Sequence, residues 1–211
     1  MPKLGIFGLI ACEYDMNFRQ TQFLTSASVL SECPADSEAE VAFAGRSNAG
    51  KSSAINSICS QSGLARTSKT PGRTQLLNFF AIEPTSYLVD LPGYGFAKVP
   101  LKVKNKWQKE LEKYLSLRKP LVGLVLLTDI RHPLKDHDLV MIDWAVKSSL
   151  PLHLLLTKSD KLTRGAAQNA LLKVRAQTET FPNVTVQLFS SFKTIGIAEV
   201  REVIATWLTR L

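Results

Sequence analysis

Cysteine is scarce in this chain, and the three present, Cys12, Cys33 and Cys59, cannot all pair and are spaced neither as Cys-x-x-Cys nor as a Cys/His metal set. That excludes a disulfide-stapled secreted scaffold and a zinc-held fold, and it fits reduced thiols in a cytoplasmic protein. Long hydrophobic runs are missing too: the longest, residues 4–12, is about half of what a membrane-crossing helix requires. It also makes a poor secretory signal, since no small-residue cleavage site follows and Glu13 and Asp15 come too early. No repeat with a period of 20–50 residues and no Gly/Ser linker interrupts the chain, so solenoids and tandem domains are set aside. Histidine is sparse, and His132, His137 and His153 are scattered, which favours structural or loop roles over catalysis.

Acidic residues are outnumbered, 18 against 26 basic, for a net charge of +8. The excess favours an anionic partner, and it is regional. Residues 98–119 carry a local +6, with Lys98, Lys102, Lys104, Lys106 and Lys109 at its start, whereas residues 1–39 sum to −3. Trp107 and Tyr114, seven apart, share one face of a helix there and read as core anchors.

What is abundant is alternation of apolar strands with amphipathic helices. Strands are expected at residues 41–44, 76–82, 87–89, 121–128, 152–157 and 184–189, and helices at 51–59, 102–117, 136–149, 164–178 and 195–208. Several strands are near-continuous apolar runs, as in parallel sheets covered on both faces. At 211 residues this predicts one α/β domain, a mostly parallel six-stranded sheet with helices on both faces. The four-residue connection Glu83-Pro84-Thr85-Ser86 is too short for a parallel crossover, so its strands form a hairpin, giving one antiparallel edge strand. Residues 1–17 are expected to be a disordered leader, 18–39 an extension packed on the core as a strand or a helix, and 40–211 the main domain.

Gly45-Arg46-Ser47-Asn48-Ala49-Gly50-Lys51-Ser52 fits G-x-x-x-x-G-K-[ST] after a strand and before a helix. Glycines let backbone amides curl around phosphate oxygens at a helix N-terminus. Lys51 then neutralises the β and γ phosphates, and Ser52 offers Mg²⁺ a hard oxygen. Asp90-Leu91-Pro92-Gly93 ends a strand, so Asp90 can orient the metal through water and Gly93 can give a backbone N–H to the γ phosphate. Between these motifs lies a polar Pro-Gly loop, in which Thr74 rather than Thr70 is the hydroxyl expected to close on Mg²⁺. Further on, Thr157-Lys158-Ser159-Asp160 ends another strand. Asp160 can accept from the N1–H and exocyclic amine of guanine, a donor pair adenine lacks, Lys158 can lay its stem along the base, and Phe189-Ser190-Ser191 can present a backbone N–H to the guanine oxygen.

Taken with the strings Ala65-Arg66-Thr67-Ser68-Lys69-Thr70-Pro71-Gly72-Arg73-Thr74-Gln75, Asn78-Phe79-Phe80, Asp90-Leu91-Pro92-Gly93-Tyr94-Gly95-Phe96-Ala97 and Asp129-Ile130-Arg131-His132-Pro133, these motifs closely resemble the EngB family of bacterial GTPases, over about residues 18–210. The resemblance implies a Ras-like G domain that binds and hydrolyses GTP, with contacts at the segments above and at Gly72, Arg73, Thr74, Gln75 and Leu76, and Mg²⁺ on Ser52 and Thr74. It also implies late assembly of the large ribosomal subunit or binding to its rRNA, and a need for the protein in septation. A cytoplasmic monomer without a membrane partner is expected. Thr157 stands where most G proteins carry Asn, a hydroxyl in place of an amide, so one loop-tethering hydrogen bond is expected to be lost. Tyr94 follows Gly93 where many GTPases have a water-orienting Gln, which implies slow intrinsic hydrolysis. Related GTPases with the N-x-G-K-S pattern hold K⁺ on the residue matching Asn48, although Asn also tolerates unusual φ angles. Lys51, Asn48, Thr74 and Gly93 thus form the expected catalytic set. A P-loop phosphotransferase acting on a small molecule is the alternative, and it lacks an evident second-substrate pocket or an Arg-rich lid.

Overall fold

A computed structural model describes residues 16–66, 76–93 and 101–209, the stretch 101–108 by its backbone alone. Among the described residues seven strands form one sheet in the order β1-β3-β4-β2-β5-β6-β7. They are β1 (Gln22–Ala27), β2 (Ala39–Gly45), β3 (Leu77–Glu83), β4 (Ser86–Asp90), β5 (Leu121–Asp129), β6 (Leu152–Thr157) and β7 (Val184–Leu188). Among the described residues five α-helices alternate with them: α1 (Lys51–Ile58), α2 (Leu101–Leu117), α3 (Asp136–Lys147), α4 (Arg164–Thr178) and α5 (Ile197–Leu208).

Period-two alternation in the central strands divides the core between the sheet's two faces. Ala42, Leu124, Leu126, Leu154 and Leu156 face one layer with Tyr114 of α2, Ile142 of α3 and Leu171 of α4. Val41, Phe43, Val125, Leu127 and Leu155 face the other, with Ile55 of α1 and Ile204 of α5. Packing on the second side is close at Gly123, where a Cβ would come within 2.1 Å of the Trp207 ring. Tyr114 is fully buried, as its helical spacing implied, while the side chain of Trp107 lies outside the described residues.

Two corrections concern the sheet. It has seven strands rather than six, and the antiparallel strand is not at the edge: β3 pairs antiparallel with both β4 and β1, so β1 is the edge. The register of β1 slips between Phe23 and Thr25, leaving Leu24 as a bulge that breaks the alternation by which a strand is read. Phe23 and Leu24 are both exposed. Met16 packs on the core, and Asn17 accepts from the N–H of Arg19 at 3.1 Å. Residues 1–15 lie outside the described residues.

Away from the loops that end the parallel strands, the other end of β2 carries Glu40, fully buried and ion-paired with Arg118, whose guanidinium also donates to the Pro34 carbonyl at 2.6 Å. The Tyr114 hydroxyl donates to the same carboxylate at 2.7 Å. A buried carboxylate is tolerated only with such partners, and here they pin the C-terminal end of α2 to the central strand and to the N-terminal extension. Cys33 and Cys59 are buried free thiols, and burial pushes both up to about 11, so neither is a ready nucleophile. Among the described residues no helix is long and apolar enough to cross a membrane.

Candidate functional site

Four segments leave the sheet at one edge, the carboxyl ends of the parallel strands. Gly45 ends β2, Asp90 ends β4, Thr157 ends β6 and Phe189 follows β7. Since β2, β5, β6 and β7 are consecutive neighbours, the first and last of these loops stand three strand spacings apart, roughly 14 Å. In open α/β sheets this edge is where ligands bind, and the span suits an elongated ligand with distinct ends.

At one end, residues 46–50 curl between β2 and α1. Ala49 donates its N–H to Arg46 at 3.0 Å, and both Asn48 (φ +65°) and Gly50 (φ +96°) are left-handed. The tolerance of Asn for that conformation therefore accounts for Asn48 on backbone grounds alone. Gly45 lies against β5 so closely that a Cβ would sit 2.8 Å from the Leu127 carbonyl. At Gly93 a Cβ would meet the Ser47 backbone at 3.4 Å, so the 90–93 segment runs alongside the loop, with Leu91 and Pro92 buried. Lys51 and Ser52 open α1, and the Lys51 ammonium is ion-paired with the nearly buried Asp90 carboxylate. A hydroxyl from Ser52 and a carboxylate from Asp90 are the hard oxygen donors a Mg²⁺ ion takes. Among the described residues no cluster of three His, Cys, Asp or Glu side chains forms a metal cage.

Toward the other end, the Thr157 hydroxyl lies 2.7 Å from the Ala49 carbonyl and 3.0 Å from that of Thr128. This corrects the expectation of a lost tether, because a hydroxyl at the end of β6 is close enough to hold the loop after β2. Lys158, left-handed at φ +58°, donates to the Asn48 carbonyl at 2.9 Å and lies 3.0 Å from Asp129. Its side chain thus spans the two ends of the site. Asp160 accepts from the Ser190 hydroxyl at 2.6 Å. That hydrogen bond, outweighing desolvation and helped by Lys161, holds its carboxyl below the usual value, so an ionised acceptor faces the edge at neutral pH. Ser159 is buried and ties β6 to β7 through its N–H to Phe189 at 3.2 Å.

Gly72, Arg73, Thr74, Gln75, Tyr94 and Lys98 lie outside the described residues, as do the side chains of Lys102, Lys104 and Lys106, whose backbone belongs to α2. Leu76 stands just before β3 and is exposed, as is Lys109 on α2. Asp129, at the carboxyl end of β5, was given no role by sequence. Hydrogen bonds from Arg131, outweighing desolvation and helped by Lys158, hold its carboxyl well below the usual carboxylate range. The rule that picked Asp90 and Thr157, a polar residue ending a parallel strand, picks Asp129 as well.

Known proteins match this arrangement. A family model described as "50S ribosome-binding GTPase" matches residues 40–158. A "Probable GTP-binding protein EngB" of Vibrio parahaemolyticus is 54% identical over 193 residues, 91% of this chain and 88% of the relative. One of the same description from Photobacterium profundum is 56% identical over 193 residues, 91% of this chain and 83% of that one. Among solved structures, a probable GTP-binding protein engB superposes with a TM-score of 0.65 at 21% identity, covering 82% of this chain and all of the other. Era in complex with MgGDPNP and a 16S ribosomal RNA segment gives 0.63 at 19% identity, covering 82% and 57%.

Proposed function

Because the chain belongs to the EngB family of GTP-binding proteins and is a GTPase, we propose that it acts as a nucleotide-gated factor in late assembly of the large ribosomal subunit, with hydrolysis as the release step and normal septation depending on it. The convergence of four motif loops on one sheet edge carries the nucleotide part of this reading, and the family's description as 50S ribosome-binding supports the ribosomal part. The factor works in the cytoplasm as a monomer, without a membrane partner. A small-molecule phosphotransferase has no comparable support.

In this reading the amides of residues 45–52 wrap the phosphates at the N-terminus of α1, and Lys51 turns from Asp90 to the β and γ phosphates. Ser52 and Thr74 would hold Mg²⁺ directly and Asp90 through water; when bound, the ion offsets negative charge on the phosphates. The N–H of Gly93 meets the γ phosphate. Asp160 accepts from N1–H and the exocyclic amine of guanine while the Lys158 stem lines the base. Within residues 189–191, the N–H of Phe189 already donates to Leu156 and that of Ser190 to Ile195, so the donor to the guanine oxygen is assigned to Ser191. Tyr94 cannot orient water as an amide does, which makes intrinsic hydrolysis slow. Asn48 would hold a K⁺ ion, whose charge would offset negative charge on the phosphates; equal single-turnover rates in potassium and sodium would remove that role.

The basic stretch beginning at Lys98 follows the Asp90 loop and supplies the rRNA surface through Lys98, Lys102, Lys104, Lys106 and Lys109. Reversing Lys102, Lys104 and Lys106 to Glu is expected to weaken co-sedimentation with large subunits, more so with a non-hydrolysable GTP analogue than with GDP. Unchanged co-sedimentation in both states would remove the surface from the account.

A further inference from the structure

The loop joining β7 to α5 closes on itself just beyond the base-recognition segment. Ser190 and Ile195 exchange both backbone hydrogen bonds at 3.0 Å, leaving residues 191–194 as a four-residue tip. Ser190 is also the residue whose hydroxyl meets Asp160. Where Ile195 lies therefore helps to set where Ser190 and Ser191 lie.

Ile195 is fixed in turn by Gly196. That residue is left-handed at φ +77°, and a Cβ there would come within 2.2 Å of the Leu188 carbonyl and 2.4 Å of the Gln187 amide nitrogen. Helix α5 begins after it, two residues later than the apolar pattern suggests, because Ile195 is held in the bridge. The Gln187 amide donates to the Gly196 carbonyl at 2.7 Å and approaches that of Leu188 at 3.2 Å. With its NH₂ so committed, Gln187 turns its Oε1 to His153 Nε2 at 2.6 Å, while His153 Nδ1 lies 2.6 Å from the Thr185 hydroxyl. Only one protonation pattern satisfies every group in the neutral ring: Nε2–H donates to Gln187, and Nδ1 accepts from Thr185. His153 is buried, and desolvation, partly offset by Gln187, lowers its pKa, so neutral imidazole is the resident form. Leu155, two residues beyond His153 on β6 and opposite Gln187 in the register, belongs to the apolar core of that face. Packing alone calls for apolar residues there, as at that position.

We propose that His153 and Gln187 are positioning residues for guanine recognition: the chain from Thr185 through His153 and Gln187 to the Gly196 carbonyl holds the closing bridge of the loop, and thereby the alignment of Ser190 with Asp160. Neither residue touches the nucleotide. The inference rests on the reading of Asp160 and residues 189–191 as the base site.

Gln187→Met keeps the side chain's length and removes its hydrogen bonds. Calorimetry with GDP and with IDP, which lacks the exocyclic amine, is expected to show GDP binding weakened by about tenfold, the order of one neutral hydrogen bond, and a smaller GDP-over-IDP preference. Single-turnover hydrolysis at saturating GTP stays within about twofold of the parent, since the phosphate end is untouched. Thr185→Val, at an exposed position, deprives Nδ1 of its donor and should shift the preference the same way by less; it carries the test if the Met variant does not fold. A preference unchanged in the folded variants, with only the unfolding midpoint lowered, would reduce the chain to core packing and overturn the inference. Asp160→Asn separates the two levels: if it too leaves the preference unchanged, the base-site reading fails, whereas a change there without one at Gln187 overturns only the positioning role.

Discussion

Asp160→Asn weakens GDP binding by roughly 10²- to 10⁴-fold, while the corresponding xanthosine nucleotide gains relative to it. Guanine offers two donors side by side, N1–H and the exocyclic amine, and an ionised carboxylate accepts both. At about 1.5–3 kcal/mol for each hydrogen bond to a charged group, losing the pair accounts for that range. An asparagine amide presents one acceptor and one donor, so it repels the exocyclic amine and suits the oxygen that xanthine carries in its place. The site is prepared for the carboxylate, because the Ser190 hydroxyl donates to it at 2.6 Å and can donate equally to the oxygen of an asparagine. Backbone disturbance is therefore small, and the change is confined to recognition. Competition binding with GDP and XDP on the variant and its parent reads this directly; an unaltered ratio would show that another residue selects the base.

Lys51→Met is expected to lower single-turnover GTP hydrolysis by about 10²- to 10³-fold, the usual cost of removing one donor aimed at developing charge. It should also destabilise the nucleotide-free protein. Lys51 and Asp90 are ion-paired with side chains only 12% and 9% exposed, and deleting one partner of a buried pair strands the other, at about 3–5 kcal/mol. The double variant Lys51→Met with Asp90→Asn distinguishes these effects. Stability measured by urea unfolding should recover, since no carboxylate is left unpaired, while hydrolysis remains lost. Hydrolysis retained within tenfold in the single variant would contradict the role given to Lys51.

The loop between β2 and α1 was legible in the sequence because backbone demands there dictate residue type: Gly45 is pressed against Leu127, and Gly50 is left-handed before α1. The hairpin of β3 and β4 was likewise forced by a connection too short to cross over. Strand β1 was not legible, since the bulge at Leu24 removes the period-two signal and its outer side is open. Long-range polar contacts were equally hidden. Thr157 lies 108 residues from Ala49, and Glu40 and Arg118 are 78 apart; nothing local in either sequence neighbourhood announces its partner. Asp129 was missed although it ends a parallel strand as Asp90 does; its contact with the distant Lys158, which only the sheet order brings to it, was hidden in the same way.

Titrating the purified protein with GDP and then with ADP in a calorimeter, in the presence of Mg²⁺, bears on all of this at once. The site described here binds GDP at least a hundredfold more tightly than ADP, as expected for a carboxylate that adenine leaves without donors. Comparable affinities, or a preference for ADP, would contradict it.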